Sequence, residues 1–158
     1  ELRQQERSTA AHNTVQIEDK EQTQVWGGFR VAKRAEITNL IENKNSLKAT
    51  HNGYKALNLM HTRKFTVGKD NIYIEDTIST KKSFKKTAYF HLHPTISNVR
   101  IENSKVLIDD REIVVFFEGK NISIEKGNYR FANGFNKTSN AIKLKVLFES
   151  SLLTKIQL

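Results

Sequence analysis

Short runs rich in Val, Ile, Phe and Thr, several with period-two alternation, recur along this chain and decide its fold class. Ile72-Tyr73-Ile74-Glu75-Asp76 places apolar side chains on alternate positions, and Ile142-Lys143-Leu144-Lys145-Val146 does the same before Leu147-Phe148 turns fully apolar. That pattern marks strands with one buried face. Val99-Arg100-Ile101-Glu102, Val106-Leu107-Ile108, Ile113-Val114-Val115-Phe116-Phe117 and Ile122-Ser123-Ile124-Glu125 repeat it, separated by Asn103-Ser104, Asp109-Asp110-Arg111 and Gly119-Lys120-Asn121 breaks. Phe65-Thr66-Val67, Gly68-Lys69-Asp70-Asn71 and Ile72 to Asp76 read as strand, turn and strand. Helical periodicity is hard to find, and the chain holds a single proline.

Eight to twelve strands at this spacing, without the helices that a parallel sheet requires, predict an all-β, antiparallel two-sheet β-sandwich. An all-β barrel is the alternative. The 158 residues suit one domain spanning 1–158, because no repeat or low-complexity linker divides them. Glu1 to Glu6 is expected to be a frayed end or the stub of a longer connection. Leu152 to Leu158 is expected to add a last strand.

The formal charge of +9 is spread over many lysines rather than gathered in a tail. It favours polyanionic partners, acidic polysaccharide or nucleic acid, with salt-dependent binding; a solvated basic surface is the plainer reading. No RNA-recognition or oligonucleotide-fold signature accompanies the lysines and aromatics of Lys82-Ser83-Phe84-Lys85-Lys86, so nucleic acid is disfavoured. The chain has no cysteine, which excludes disulfides and cysteine nucleophiles but says little about compartment. No run approaches the ~20 apolar residues of a membrane span. Phosphate-cradling glycine loops and Gly-x-Ser-x-Gly elbows are absent from the sequence.

Candidate chemistry concentrates near the start, where Arg7-Ser8-Thr9-Ala10-Ala11-His12-Asn13 runs straight into the strand Thr14 to Ile17. His12 can serve as a metal ligand, or as a strand-entry histidine bonded to a backbone carbonyl. Arg7 and Arg30 can grip a carboxylate through paired donors, Asn13 can orient a hydroxyl, and Trp26 offers a face for a sugar ring or a cover for the sheet. Tyr54 follows an Asn52-Gly53 turn signal and stands either at a loop tip or, more simply, in the core. His91 and His93 alternate along a strand and so share a face, although two histidines fall short of a metal site.

Arg7 to Val15, Trp26-Gly27-Gly28-Phe29-Arg30, His51-Asn52-Gly53-Tyr54, His61-Thr62-Arg63 and Phe90-His91-Leu92-His93-Pro94 occur in an order that resembles the C-terminal β-sandwich of the heparinase II/III-like polysaccharide lyases. The resemblance runs from about Arg7 to His93. It implies a supersandwich-like domain that follows a large helical domain, with the catalytic cleft between them and the main catalytic groups in the helical part. It further implies a lyase that cleaves uronic-acid-containing polysaccharide, such as a glycosaminoglycan, by β-elimination.

By the same resemblance His12 supplies one ligand to a divalent metal such as zinc in the full-length protein. The other two ligands, a His and an Asp, would precede it in sequence, so the isolated chain is expected to bind no metal and to be inactive alone. The implied partners are an acidic polysaccharide and the N-terminal helical domain, with no membrane; the implied location is periplasmic or secreted in bacteria. The runner-up is a non-catalytic carbohydrate-binding or interaction module for acidic polysaccharide.

Overall fold

The computed structural model describes residues 2–80, 82–109 and 113–158. After a helical turn α1 (Leu2–Glu6) and a 3-10 turn (Thr9–Ala11) come β1 (Val15–Ile17), β2 (Gln24–Trp26) and β3 (Arg30–Ala32). Next are β4 (Ile37–Asn43), β5 (Ser46–His51), a 3-10 turn (Lys55–Leu57), β6 (His61–Val67), β7 (Asn71–Ile78) and β8 (Lys86–His91). The chain finishes with β9 (Val99–Glu102), β10 (Lys105–Ile108), β11 (Ile113–Gly119), β12 (Ser123–Gly134), β13 (Lys137–Phe148) and β14 (Ser151–Gln157). Of the Asp109-Asp110-Arg111 break, Asp110 and Arg111 lie outside the described residues.

The strands form a four-stranded sheet in the order β1-β8-β13-β12, an eight-stranded sheet in the order β4-β5-β6-β7-β14-β11-β10-β9, and the separate β2–β3 hairpin. Every pairing between strands is antiparallel. The two larger sheets pack face to face as a sandwich rather than closing into a barrel. Phe90 on β8 meets Phe117 on β11 with ring centroids 5.4 Å apart, and Val15, Val106, Leu144, Val146 and Leu152 fill the same core. Burial of such side chains, at roughly 25 cal/mol per Å² of apolar surface, drives the assembly.

Register explains the strand ends. The Phe65 to Asp76 hairpin closes through Gly68 N–H on the Asn71 carbonyl at 2.8 Å. The β9–β10 and β12–β13 turns carry Asn103 (φ 54°) and Asn136 (φ 54°), left-handed positions where a short amide side chain is tolerated. The strand read at Ile122 to Glu125 continues much further, to Gly134, and its partner begins at Lys137 rather than Ile142.

Glu1 to Glu6 is not a frayed end over its described part. Leu2–Glu6 forms a helical turn held by the Gln4 amide on the Val25 carbonyl and by Arg3, whose guanidinium lies 4.1 Å from the Phe29 ring centroid. A helix this short is not stable by itself, so these contacts with the β2–β3 hairpin hold it. Among the described residues no helix is long and apolar enough to cross a membrane.

The eight-stranded sheet outruns its partner. Leu47 pairs with Phe65, Phe65 with Ile74, Ile74 with Thr154 and Thr154 with Phe117, so all five lie on the core-facing side. Phe117 is sealed, yet Leu47 and Phe65 are exposed, because none of the described residues covers this end of the sheet, where all of β4 is exposed.

Candidate functional site

The polar start of the chain folds back on the β2–β3 hairpin. Gly27 (φ 21°) and Gly28 (φ 69°) make the turn that returns Arg30 opposite Trp26, a backbone path that side chains with a Cβ rarely follow. Arg7 donates to the Gly28 carbonyl at 2.6 Å, which ties the turn to the segment before β1. One guanidinium nitrogen of Arg7 is therefore engaged by the backbone.

The same segment is anchored from below. Thr9 N–H donates to the Glu21 carboxylate at 2.5 Å, and the Thr9 hydroxyl accepts from Gln22 N–H at 2.9 Å. The Gln22 amide donates in turn to the Thr14 hydroxyl and the Val15 carbonyl. Tyr54 is in the core, with its hydroxyl donating to the Val15 carbonyl at 2.7 Å, and burial raises its pKa. His12 stays exposed and shares with Arg7, Thr9, Gln22 and Thr23 a cavity of about 360 Å³.

Asn13 points to the other side and joins two networks. Its side-chain oxygen accepts from His91 N–H at 2.7 Å and from His91 Nδ1 at 2.9 Å. A backbone N–H can only donate, so the group facing it is the carboxamide oxygen, and Nδ1 carries the His91 proton. Burial first, then the charges of Lys143 and His12, push the His91 pKa down to about 4, against the pull of the Ala10 carbonyl. The Asn13 backbone carbonyl accepts from Arg63.

Arg63 belongs to a buried relay. Its guanidinium grips Asp76 with two bonds, Nε to Oδ1 at 2.7 Å and Nη2 to Oδ2 at 2.9 Å. Gly53 N–H donates to His51 Nδ1 at 3.1 Å, which fixes the His51 proton on Nε2. His51 Nε2–H then donates to His61 Nδ1 at 2.9 Å, and His61 Nε2–H donates to Asp76 at 2.7 Å.

Burial drives the Asp76 carboxyl upward, but the bonds from His61 and Arg63 and the Arg63 charge outweigh it and hold the group below its ordinary value. Burial, followed by the electrostatic influence of His61 and the charge of Arg63, lowers His51 to about 4, with Asp76 opposing. Asp76 and His61 are 0% and 2% exposed, so the centre of this relay is shut off from solvent and organises the fold, while His51 and Arg63 at its ends are partly exposed.

Of the residues singled out in the sequence, Arg7 and His12 line one cavity, and Trp26 and Arg30 stand exposed on the hairpin that Arg7 holds. Asn13 faces away, toward His91. His91 and His93 lie against neighbouring rings of one strand, His91 on Tyr129 and His93 on Phe131. Of the relay residues, Asp76 carried no sequence signal beyond its place in an alternating strand, and Arg63 was marked only within the His61-Thr62-Arg63 stretch; cross-strand register pairs the two.

The described residues do not by themselves complete the metal site that the resemblance implies around His12 in the full-length protein. Among the described residues no three of His, Cys, Asp or Glu come together as a ligand set, and one imidazole alone does not hold zinc.

Sequence and structure comparisons agree on the kind of domain. The profile of the heparinase II/III-like, C-terminal family matches residues 1–155. No curated protein matches the chain. Among solved structures, a mutant of heparan sulfate lyase HepC from Pedobacter heparinus superposes with a TM-score of 0.75 at 15% identity, over 99% of this chain and 25% of that one. The BT4657 gene product, titled heparinase III, gives 0.74 at 15% identity over 98% of this chain and 24% of its own. The chain thus spans about a quarter of the length of these structures, and at this identity the likeness shows the fold.

Proposed function

The chain belongs to the heparinase II/III-like, C-terminal family, and on that premise we propose that it is the C-terminal sandwich of a polysaccharide lyase acting on uronic-acid-containing polysaccharide. The similar solved structures of heparan sulfate lyase HepC favour a glycosaminoglycan as the polymer. The observation that carries this reading is the convergence of His12 and Arg7 on one cavity, beside a hairpin that exposes Trp26 and Arg30.

The reaction removes the proton beside the uronate carboxylate and expels the glycosidic oxygen, leaving an unsaturated ring. Developing negative charge on the carboxylate is stabilised by fixed donors, a role that the free nitrogens of Arg7 and the Arg30 guanidinium suit. Proton transfer requires a positioned base and acid within hydrogen-bond reach. The base and acid are assigned to an N-terminal helical domain of the intact protein, with His12 as this chain's contribution to a shared metal site.

The test is His12→Ala in the intact protein, with metal content and formation of the unsaturated uronate measured on the same preparation. Both are expected to fall while the melting temperature holds. Full activity and full metal content in the variant would overturn the reading.

A further inference from the structure

A second and larger cleft, of about 710 Å³, opens between α1, the Ala10-Ala11 turn and the outer face of the four-stranded sheet. Register builds its floor. His91 on β8 pairs with Lys143 on β13, which in turn pairs with Gly127 on β12, so His91, Lys143 and, two residues along, Tyr129 and Phe131 share that face. The His91 and Tyr129 rings meet edge to face at 4.7 Å, Tyr129 meets Phe131 at 6.5 Å, and His93 lies against Phe131 at 5.3 Å. The Tyr129 hydroxyl donates to the Leu92 carbonyl at 2.7 Å, which locks the ring and leaves its carbon surface for contact.

Lys143 places positive charge on this floor. Burial and then neighbouring Lys145 push the Lys143 pKa down, the sign of an ammonium short of counter-charge. Arg130, on the opposite face of β12, bonds the Thr138 hydroxyl at 3.2 Å and leaves the floor's charge to Lys143. Glu6 on the opposite wall, with Gln5 and Ser8, supplies polar groups.

We propose that this cleft is a binding subsite for an acidic oligosaccharide, in which Tyr129 and Phe131 take the carbon face of a sugar ring while Lys143 takes its acidic group. The subsite rests on the proposed function for its ligand class. Aromatic walls with a few convergent polar groups are the usual build of a small-ligand site. Single-stranded nucleic acid, the competing polyanion, calls for an open basic groove and rings on which successive bases stack. Here the rings meet edge to face, and Glu6, Gln5 and Ser8 on the wall offer partners for sugar hydroxyls.

The experiment is a calorimetric titration of this 158-residue chain with a sulfated, glucuronate-containing tetrasaccharide, a neutral tetrasaccharide and single-stranded DNA of matched charge. Saturable binding of the acidic saccharide alone is expected. Lys143→Gln and Phe131→Ala should each weaken it by about tenfold, the scale of one charge-assisted contact, with unchanged melting temperature. Lys48→Gln, the same charge change on β5, should leave it intact. Equal loss in Lys48→Gln and Lys143→Gln, equal binding of DNA, or no saturable binding would each overturn the subsite. Binding is read on this chain and cleavage on the intact protein. An intact protein without lyase activity therefore sinks the catalytic reading while Lys143-dependent binding still supports the subsite.

Discussion

His12 and Asn13 are adjacent, but the polar clusters on their two sides are built in opposite ways. Behind Asn13, the relay of His51, His61, Asp76 and Arg63 is closed: Asp76 receives three bonds, from His61 and from two Arg63 nitrogens, and each His51 ring nitrogen has a partner fixed by an obligate donor or by register. In front of it, His12 and Arg7 line a cavity open to solvent. A buried charge persists only when paired and hydrogen-bonded, whereas an exposed imidazole is free to meet a ligand. The contrast divides motifs that look alike in sequence: the His51 to Tyr54 and His61 to Arg63 stretches hold the sandwich together, and the Arg7 to Asn13 stretch faces outward.

The strongest way to break this contrast is Asp76→Asn. It removes the counter-charge of Arg63 and gives His61 a poorer acceptor, at a site with no access to water. Breaking a buried pair from one side costs about 3–5 kcal/mol, so the variant should lose that much in urea denaturation. A loss below about 1 kcal/mol would mean that the relay is ornamental and that both clusters are surface features.

Acid should separate the clusters next. His51 folds with its pKa lowered from 6.5 to about 4, so between those values the unfolded chain binds more protons at this site than the folded one. Stability from His51 is complete above about pH 6.5 and is lost as the pH falls toward 4; Asp76, also depressed, extends the loss below the ordinary carboxylate range. His91, lowered to about 4, acts in the same direction. After allowance for solvent screening of these partly exposed rings, each contributes about 1–2 kcal/mol. Urea midpoints at intervals from pH 7 to pH 4 read the slope, and His51→Gln should flatten it; an unchanged slope in that variant would remove His51 from the relay.

Gly53→Ala probes the seam between the clusters with a smaller effect. A Cβ there would sit 3.0 Å from both Gln22 Cβ and His51 Nδ1 and 3.1 Å from the Gln22 carbonyl. Crowding one methyl into a packed seam costs about 1–3 kcal/mol, and the low end is expected here because Gln22 is partly exposed. The sharper sign is loss of the Gly53 to His51 bond, visible as a changed His51 ring signal in NMR; an unaltered ring would show that Gly53 does not orient it.

Much of the sandwich was legible because half-buried strands imprint period two on the sequence, as in Ile72 to Asp76 and Ile142 to Val146. β4 left no such imprint: all seven of its residues are exposed, so no buried face selected alternate positions. The outer half of β12, with Ala132, Asn133 and Gly134 all exposed, hid for the same reason. α1 spans five residues, too few for a helical period to show. At the site, Arg7 and His12 are close in sequence and line one cavity, but the contacts that define Asn13 reach 50 residues to Arg63 and 78 to His91. Separations of that size follow from sheet order, which periodicity does not encode.

His12→Ala should have the smallest effect on stability, and that is why it is informative. The ring is exposed and stands outside the relay, so removing it should change unfolding free energy by no more than about 0.5 kcal/mol, the usual range for surface positions. The proposed function asks the same substitution to abolish metal content and cleavage in the intact protein. If urea denaturation of this chain instead shows a loss comparable with that of Asp76→Asn, His12 is part of the framework, and any fall in activity would report unfolding rather than a missing ligand.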